Sequence, residues 1–164
     1  MGTQNLHEDT IRRIKRGLSG YISYLAACEM NSSFSEYMLY EPMLRILTAR
    51  GYTVTCEYPI PNNNQGDHPR IDFVGDHDAN GSIAIEVKWK KENPIQITSD
   101  INKLNIYKNN NDNSSCFFLL FGRRSHIENW DPPGDQLLQF GDDVYAEFSQ
   151  TRYGCRVYIL SPHI

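Results

Sequence analysis

Three side chains capable of acid–base and metal chemistry lie in two neighbouring apolar segments, "RIDFVG" (70–75) and "IAIEVKWK" (83–90). In the second segment, strand periodicity places Glu86 and Lys88 on the same face, about 7 Å apart along the strand. Asp72 interrupts the first segment in the same way. A carboxylate or an amine within an apolar strand is costly to bury unless it binds something. These three residues are therefore the first candidates for a functional site.

The intervening segment "GDHDANGS" predicts a hairpin, with Asn80-Gly81 as its turn signal. A two-residue turn there would set Asp72 opposite Trp89, on the other face. A three-residue loop, 79–81, with Gly81 left-handed, would set Asp72 opposite Lys88. We expect the second register, because it gathers two carboxylates and one amine at one place.

Two neighbouring carboxylates repel each other, and a divalent cation relieves that repulsion. Hard oxygen ligands of this kind suit Mg²⁺ or Mn²⁺ rather than zinc. A lysine beside such an ion can help to deprotonate an attacking water or stabilise the charge that develops on a phosphoryl group. The residue types thus indicate metal-assisted hydrolysis.

Asp72 followed by Glu86-x-Lys88 resembles the active-site signature of the PD-(D/E)XK nuclease superfamily, with Ile71 where the name-giving proline would stand. The resemblance implies a restriction-endonuclease-like fold in which Asp72, Glu86 and the backbone carbonyl of Val87 hold Mg²⁺ or Mn²⁺. It further implies that a metal-activated water hydrolyses phosphodiester bonds, with Lys88 as a catalytic residue. The resemblance covers residues 33–124.

The segment upstream predicts a helix that a capping box of Ser33 and Glu36 opens and Gly51 ends. Its apolar stripe consists of Leu39, Tyr40, Met43, Leu44 and Leu47. Members of the superfamily often carry a glutamate on this helix that completes the metal site. Glu36 is our choice for that catalytic and metal-binding role, and Glu41, just before Pro42, is the alternate. A capping function alone for Glu36 is an equally weighted alternative.

Residues that could touch a nucleic acid follow the signature. Spacing predicts a helix over 99–108, and the resemblance suggests that Lys103 on it contacts substrate phosphate. A solvated ion pair between Asp100 and Lys103 is the commoner explanation of that pattern. Lys90 and Arg123 are two further candidates for nucleic-acid binding.

The predicted fold class is α/β, a restriction-endonuclease-like mixed central β-sheet flanked by α-helices, in one domain over residues 1–164. An amphipathic helix is predicted at 9–29, and its basic cluster (Arg12, Arg13, Lys15 and Arg16) is either a binding surface or a solvated face. The segment 115–124 predicts a buried central strand. The C-terminal part, 134–160, predicts a helix from Asp135 or Asp142 to Ser149 and a strand over 155–160.

Bulk composition sets limits on function. The net charge of −4 counts against a strongly basic nucleic-acid binder, although the basic residues are clustered. The four cysteines lack metal spacing and are expected to be buried, reduced thiols, which favours a cytoplasmic location. The sequence predicts no signal peptide, no transmembrane segment and no membrane partner.

The function that the resemblance implies is that of a Mg²⁺-dependent nuclease, a hydrolase that acts as an endonuclease or an exonuclease, with DNA as its expected substrate. The alternatives are a non-cleaving nucleic-acid-binding or protein-interaction module on the same fold, and a nuclease toxin or effector domain. A homodimer or a separate targeting protein is an expected partner, because the acidic balance suits a nuclease that relies on another protein for targeting.

Overall fold

The computed structural model describes residues 3–31, 34–61, 66, 68–146 and 151–161. Four α-helices lie within these residues, the second preceded by a 3₁₀ turn at Glu36–Leu39: α1 (Thr3–Ala27), α2 (Tyr40–Ala49), α3 (Thr98–Asn110) and α4 (Arg124–Glu128). Seven strands are also found within the described part of the chain: β1 (Thr53–Pro59), β2 (Arg70–His77), β3 (Gly81–Lys90), β4 (Ser114–Arg123), β5 (Leu137–Gln139), β6 (Val144–Ala146) and β7 (Tyr153–Leu160).

These strands form one mixed sheet in the order β1-β2-β3-β4-β7-β5, with β6 also paired to β7. The β3–β4 pair is parallel, with α3 as its crossover, and the other pairs are antiparallel. The carboxyl ends of β3 and β4 therefore meet at one edge of the sheet. The predicted α/β class, a mixed sheet flanked by helices, is confirmed.

Helices cover both faces of the sheet. Ile83, Ile85 and Val87 pack with α1 and α2, whereas Ala84 packs with α3 and α4 on the other side. This alternation along β3 follows from the period of two in an extended strand. Glu86 and Lys88 share the side of Ala84, so they point under α3.

The N-terminal amphipathic helix is present and longer than predicted, since α1 begins at Thr3. Its predicted apolar face is buried or half-buried: Ile11, Ile14, Leu18, Tyr21, Ile22 and Leu25. Placing Lys15 in an exposed basic cluster was wrong. Lys15 is buried, and its Nζ donates to the backbone carbonyls of Phe140 and Asp142, the latter at 2.5 Å. Tertiary partners that lie far along the chain thus satisfy this ammonium group.

The central strand predicted at 115–124 corresponds to β4, which is buried over most of its length. The C-terminal helix predicted up to Ser149 was wrong over the described residues, because β5 and β6 occupy that segment and residues 147–150 lie outside them. Both short strands pair with β7, which would otherwise present an unpaired edge. The strand predicted at 155–160 is present as β7.

The four cysteines are free thiols, of which Cys116 and Cys155 are buried as expected. The expectation was wrong for Cys28 and Cys56, which are exposed after α1 and on the edge strand β1. Across the described residues, no helix combines the length and the apolar character needed to cross a membrane.

Candidate active site

The β2–β3 hairpin has a different register from the predicted one. His77 pairs with Gly81 and Phe73 pairs with Ile85, so the loop is 78–80 rather than 79–81. Gly81 is left-handed as predicted, with φ of 80°. It begins β3, and its backbone packs tightly against Asn113, whose carbonyl would lie 2.2 Å from a Cβ at this position. A residue with a side chain would therefore not fit here.

This shift of two residues keeps the faces unchanged but replaces the expected neighbour of Asp72. Continued by one step, the register would set Asp72 across from Glu86 instead of Lys88. The pairing of β2 with β3 ends at Phe73, however. Beyond it, Oδ2 of Asp72 accepts a hydrogen bond from the Val87 N–H at 2.7 Å, in place of a backbone hydrogen bond between the strands. The Val87 carbonyl lies along the same strand edge as its N–H.

Glu86 is buried under α3, with 2 % of its surface exposed. Its Oε1 lies 2.8 Å from Lys103 Nζ, yet the contact lacks hydrogen-bond geometry, and this oxygen has no hydrogen-bond partner among the described residues. Burial, followed by repulsion from Asp72, raises the pKa of Glu86 to about 9 in spite of Lys103. Burial likewise raises the pKa of Asp72.

Two lysines and a further carboxylate complete the site. Lys88 Nζ lies 3.2 Å from Asp100 Oδ2, and Lys103 Nζ lies 3.0 Å from Asp100 Oδ1. Lys103 therefore links Asp100 to Glu86. We call Asp72, Glu86, Lys88, Asp100 and Lys103 the acid–lysine cluster. The prediction that the Asp100–Lys103 ion pair is solvated was wrong, because the Asp100 side chain is only 7 % exposed.

The charge state of Lys88 follows from its surroundings. Burial lowers the pKa of this ammonium group, but the nearby carboxylates of Asp100, Glu36 and Asp72 outweigh burial and raise it overall. Lys88 is therefore a cation at neutral pH. It suits the stabilisation of negative charge better than the removal of a proton from water.

Glu36 and Glu41 differ clearly in direction. Glu36 begins the 3₁₀ turn, and its Oε1 accepts the Trp89 N–H at 3.1 Å. Glu41 is 63 % exposed and pairs with Arg45 one turn later. Glu36 thus reaches the end of β3, whereas Glu41 faces solvent. Ser33, the other half of the expected capping box, lies outside the described residues.

The three residues predicted to bind nucleic acid differ in their placement. Arg123 is exposed at the end of β4, but Lys90 is buried and donates to the carbonyls of Lys91 and Asn93, the latter at 3.0 Å. Lys90 therefore supports the loop after β3, and its proposed substrate contact does not fit this placement. Lys103 lies inside the site and also donates to the Arg70 carbonyl at 2.9 Å.

Sequence reasoning missed Tyr40, which it assigned to the apolar stripe. The Tyr40 hydroxyl lies 2.6 Å from Asp72 Oδ1 and 3.0 Å from Glu57 Oε1. Burial and the hydrogen bond to Asp72 raise the pKa of Tyr40. Glu57 has a left-handed backbone, φ 53°, which is strained for a residue with a side chain. The signal available in the sequence was the hydroxyl one helical turn after Glu36.

The donor chemistry of the site fits a hard divalent cation. Nowhere in the described part of the chain do three or more His, Cys, Asp or Glu side chains form a ready set of metal ligands. Asp72, Glu86 and the Val87 carbonyl nevertheless supply oxygen donors where β2 and β3 part, and Glu86 Oε1 is held there by Lys103 at 2.8 Å. No family model, curated protein or solved structure matches this chain.

Proposed function

We propose that this protein is a metal-dependent nuclease with a restriction-endonuclease-like active site at Asp72, Glu86 and Lys88. One observation carries the proposal: the half-buried Asp72 binds the Val87 N–H directly beside the buried Glu86, and the pKa values of both carboxyl groups are raised. Such an arrangement is unfavourable for folding by itself and becomes favourable when a cation binds.

Asp72, Glu86 and the Val87 carbonyl would hold Mg²⁺ or Mn²⁺, which supplies Lewis acidity for phosphodiester hydrolysis. Lys88 would donate to the negative charge that builds on the phosphate. It would then exchange Asp100, 3.2 Å away, for the substrate. Lys103 offsets the charge of Glu86 and can turn toward the incoming phosphate. Glu36 would orient water or complete the cation's surroundings from the Trp89 end of β3.

The proposed substrate is a nucleic acid, with DNA as the first to test. Although the chain carries a net charge of −4, Lys88 and Lys103 both lie in the site and Arg123 lies at the end of the adjacent strand. A local positive rim is sufficient to attract phosphate when the nearby acids are neutralised by a cation.

One observation favours a second candidate, a non-cleaving binding module. Glu86, Lys103, Asp100 and Lys88 form a continuous chain of ion pairs that balances the buried charge without a metal ion. If this chain of pairs persists with a cation present, the site is a structural device. The two candidates therefore differ in whether Mg²⁺ is bound at all.

The test joins cation binding to cleavage. Mg²⁺ or Mn²⁺ should raise the melting temperature of the wild type by mass action, and it should not raise that of Asp72→Ala. With the same ions, the wild type should cut plasmid, linear duplex, single-stranded DNA or RNA, and EDTA should stop the reaction. Lys88→Ala should lower the cleavage rate about 10²–10³-fold, the range for losing one group that stabilises a developing oxyanion, while the cation still stabilises the fold.

Lys108→Ala is the matched control, because Lys108 lies toward the other end of α3 and donates to the Asp112 and Ser114 carbonyls. It should cleave at the wild-type rate. Equal thermal shifts for the wild type and Asp72→Ala, together with no cleavage of any substrate, would favour the binding module.

A further inference from the structure

A cleft of about 360 Å³ opens beside the proposed active site, at the carboxyl ends of β3 and β4. Its wall combines aromatic side chains, cations and the loop after β3. The lining residues include Phe34, Trp89, Lys91, Arg123, His126 and Tyr153. This volume lies in the range of sites that hold small molecules or single nucleotide units.

The aromatic side chains of the cleft pack against one another. Phe34 packs edge-on against both Trp89 and Tyr153, with ring centroids 5.4 Å and 5.0 Å apart. Phe34 and Tyr153 are buried, whereas Trp89 remains half-buried. The indole therefore has a supported side and an accessible side, which is the requirement for a stacking platform.

The rim of the cleft is positively charged. Lys91 and Arg123 are exposed there, Lys90 lies in the wall, and Glu92 is the one acid among the lining residues described. This local balance is opposite in sign to the net charge of the chain, −4. In addition, the half-buried imidazole of His126 lines the cleft and offers a polar group to a ligand.

The cleft lies at the same end of β3 as the proposed active site, although Trp89 points to the opposite face of the strand from Glu86 and Lys88. Trp89 directly follows Lys88, and its N–H is held by Glu36. Along β3, Trp89 lies three residues beyond Glu86, a separation of roughly 10 Å. A nucleotide adjacent to a phosphate held at Glu86 and Lys88 can reach that distance.

We propose that this cleft binds one unpaired nucleotide of the nucleic-acid substrate, next to the phosphate that is cut. The base stacks on Trp89, its polar edge faces His126, and Arg123 and Lys91 bind the flanking phosphates. This assignment rests on the proposed nuclease function and makes it more specific. The preferred substrate is a strand with an unpaired base beside the cleavage point, such as single-stranded, bulged or frayed nucleic acid.

Trp89 itself reports on the proposal. The chain has two tryptophans, so Trp130→Phe leaves Trp89 as the single emitter. Adding a short oligodeoxythymidylate in EDTA, which prevents cleavage, should quench that emission saturably. A base-paired duplex of the same length should quench it much less. Weakening of the quenching by salt is expected, because phosphate contacts release counterions.

Variants test each contact by the anisotropy of a labelled oligodeoxythymidylate. Trp89→Ala should weaken binding about 5- to 150-fold, the range for the loss of one base stack. Arg123→Ala should weaken it and lower the slope of log affinity against log salt by about 0.7. Arg16→Ala, an equal charge change on the exposed side of α1, is the matched control and should bind as the wild type does. Because Arg123 is exposed, its variant folds even where Trp89→Ala fails.

The outcomes separate the two proposals. Loss of oligonucleotide binding in the cleft variants, with cleavage by the wild type preferring unpaired substrates, supports both. Saturable quenching of Trp89 without cleavage of any substrate overturns the nuclease function and leaves a nucleotide-binding cleft. Cleavage that is equal on duplex and single strand, with no quenching and unchanged affinity in Arg123→Ala, overturns the cleft assignment alone.

Discussion

Two clusters of partly buried charges lie in this molecule, and they are built in opposite ways. In the first, on β7 and the segment before it, the Arg156 guanidinium binds both oxygens of Asp143 at 2.7 Å. The Tyr145 hydroxyl donates to the same carboxylate at 2.9 Å, and Arg156 also donates to the Trp130 carbonyl. Burial opposes ionisation of Asp143, but these hydrogen bonds outweigh it and lower its pKa. We call this the Asp143–Arg156 cluster.

The acid–lysine cluster has the same kinds of group but does not satisfy them equally. Its carboxylates outnumber its lysines, and among the described residues Glu86 Oε1 and Asp100 Oδ2 are held only by lysine ammonium groups, at 2.8 Å and 3.2 Å. The pKa values of Asp72 and Glu86 are raised rather than lowered. Charges that contribute to folding are satisfied internally, whereas charges reserved for a ligand remain unfavourable until it binds.

Removing one cation from each cluster gives the largest expected contrast. Arg156→Ala leaves the Asp143 carboxylate, 14 % exposed, without its counter-ion. It should lower the free energy of unfolding by about 3 kcal/mol. The melting temperature should then fall by about 6–12 °C. Lys103→Ala should cost less than about 1 kcal/mol in EDTA, because Glu86, with a pKa of about 9, can remain protonated. Equal decreases in the melting temperature of Arg156→Ala and Lys103→Ala would contradict this contrast between the clusters.

The pH dependence of stability should have opposite signs in the two clusters. The folded-state pKa of Glu86, about 9, exceeds its ordinary value of 4.5, so folding binds protons and stability is lost as pH rises between these values. In EDTA near pH 8, Glu86→Gln should therefore be more stable than the wild type by about 1–2 kcal/mol. This net gain already allows for the ion pair with Lys103 that the variant loses. Glu86→Gln should also lose the stabilisation by Mg²⁺.

Asp143 provides the opposite case. Its folded-state pKa is lowered, so its contribution is present above the ordinary pKa of 3.8 and is lost as pH falls through the folded value. In urea unfolding followed across pH, Asp143→Asn should consequently remove a rise of the unfolding free energy with pH on the acid side. Glu86→Gln should remove a fall of the unfolding free energy between pH 4.5 and about 9. Slopes of the same sign would show that the two clusters are equivalent.

The smallest expected effect comes from Tyr40, the neutral donor to Asp72. Tyr40→Phe keeps the packing on Phe73, where the ring centroids are 4.6 Å apart, and removes the hydroxyl. It should cost about 1 kcal/mol of stability and weaken the binding of Mg²⁺ a few-fold, because Asp72 loses a group that favours its ionised form. Tyr37→Phe, at a residue 76 % exposed, is the control and should change neither quantity in a thermal titration with Mg²⁺.

Periodicity predicted the elements well where one face is continuously apolar. The stripe on α1 is buried, and three members of the stripe near α2, Leu39, Met43 and Leu47, are fully buried. Leu44, at the edge of the same stripe, is 38 % exposed. Local pattern failed where the segment is short, as in β5 and β6, because these strands exist by pairing with β7.

The candidate site was predictable as a set of residue types but not as a set of contacts. The face shared by Glu86 and Lys88 follows from strand geometry, since a period of two holds in any register. The partner of each charged group does not follow from strand geometry. Lys15 and Lys90 read as surface cations, yet both bind backbone carbonyls, and Lys15 does so across more than a hundred residues of chain.

The sequence by itself determined the α/β class, the shared face of Glu86 and Lys88 on β3, and the apolar stripe of the helix that follows Glu36. The tertiary structure alone decided the hairpin register, in which His77 pairs with Gly81. It also decided that Asp100 and Lys103 belong to the site, and that Tyr40 binds Asp72. The physical reason is that period and propensity act within a segment, whereas burial, pKa and pairing depend on groups that only the folded chain brings together.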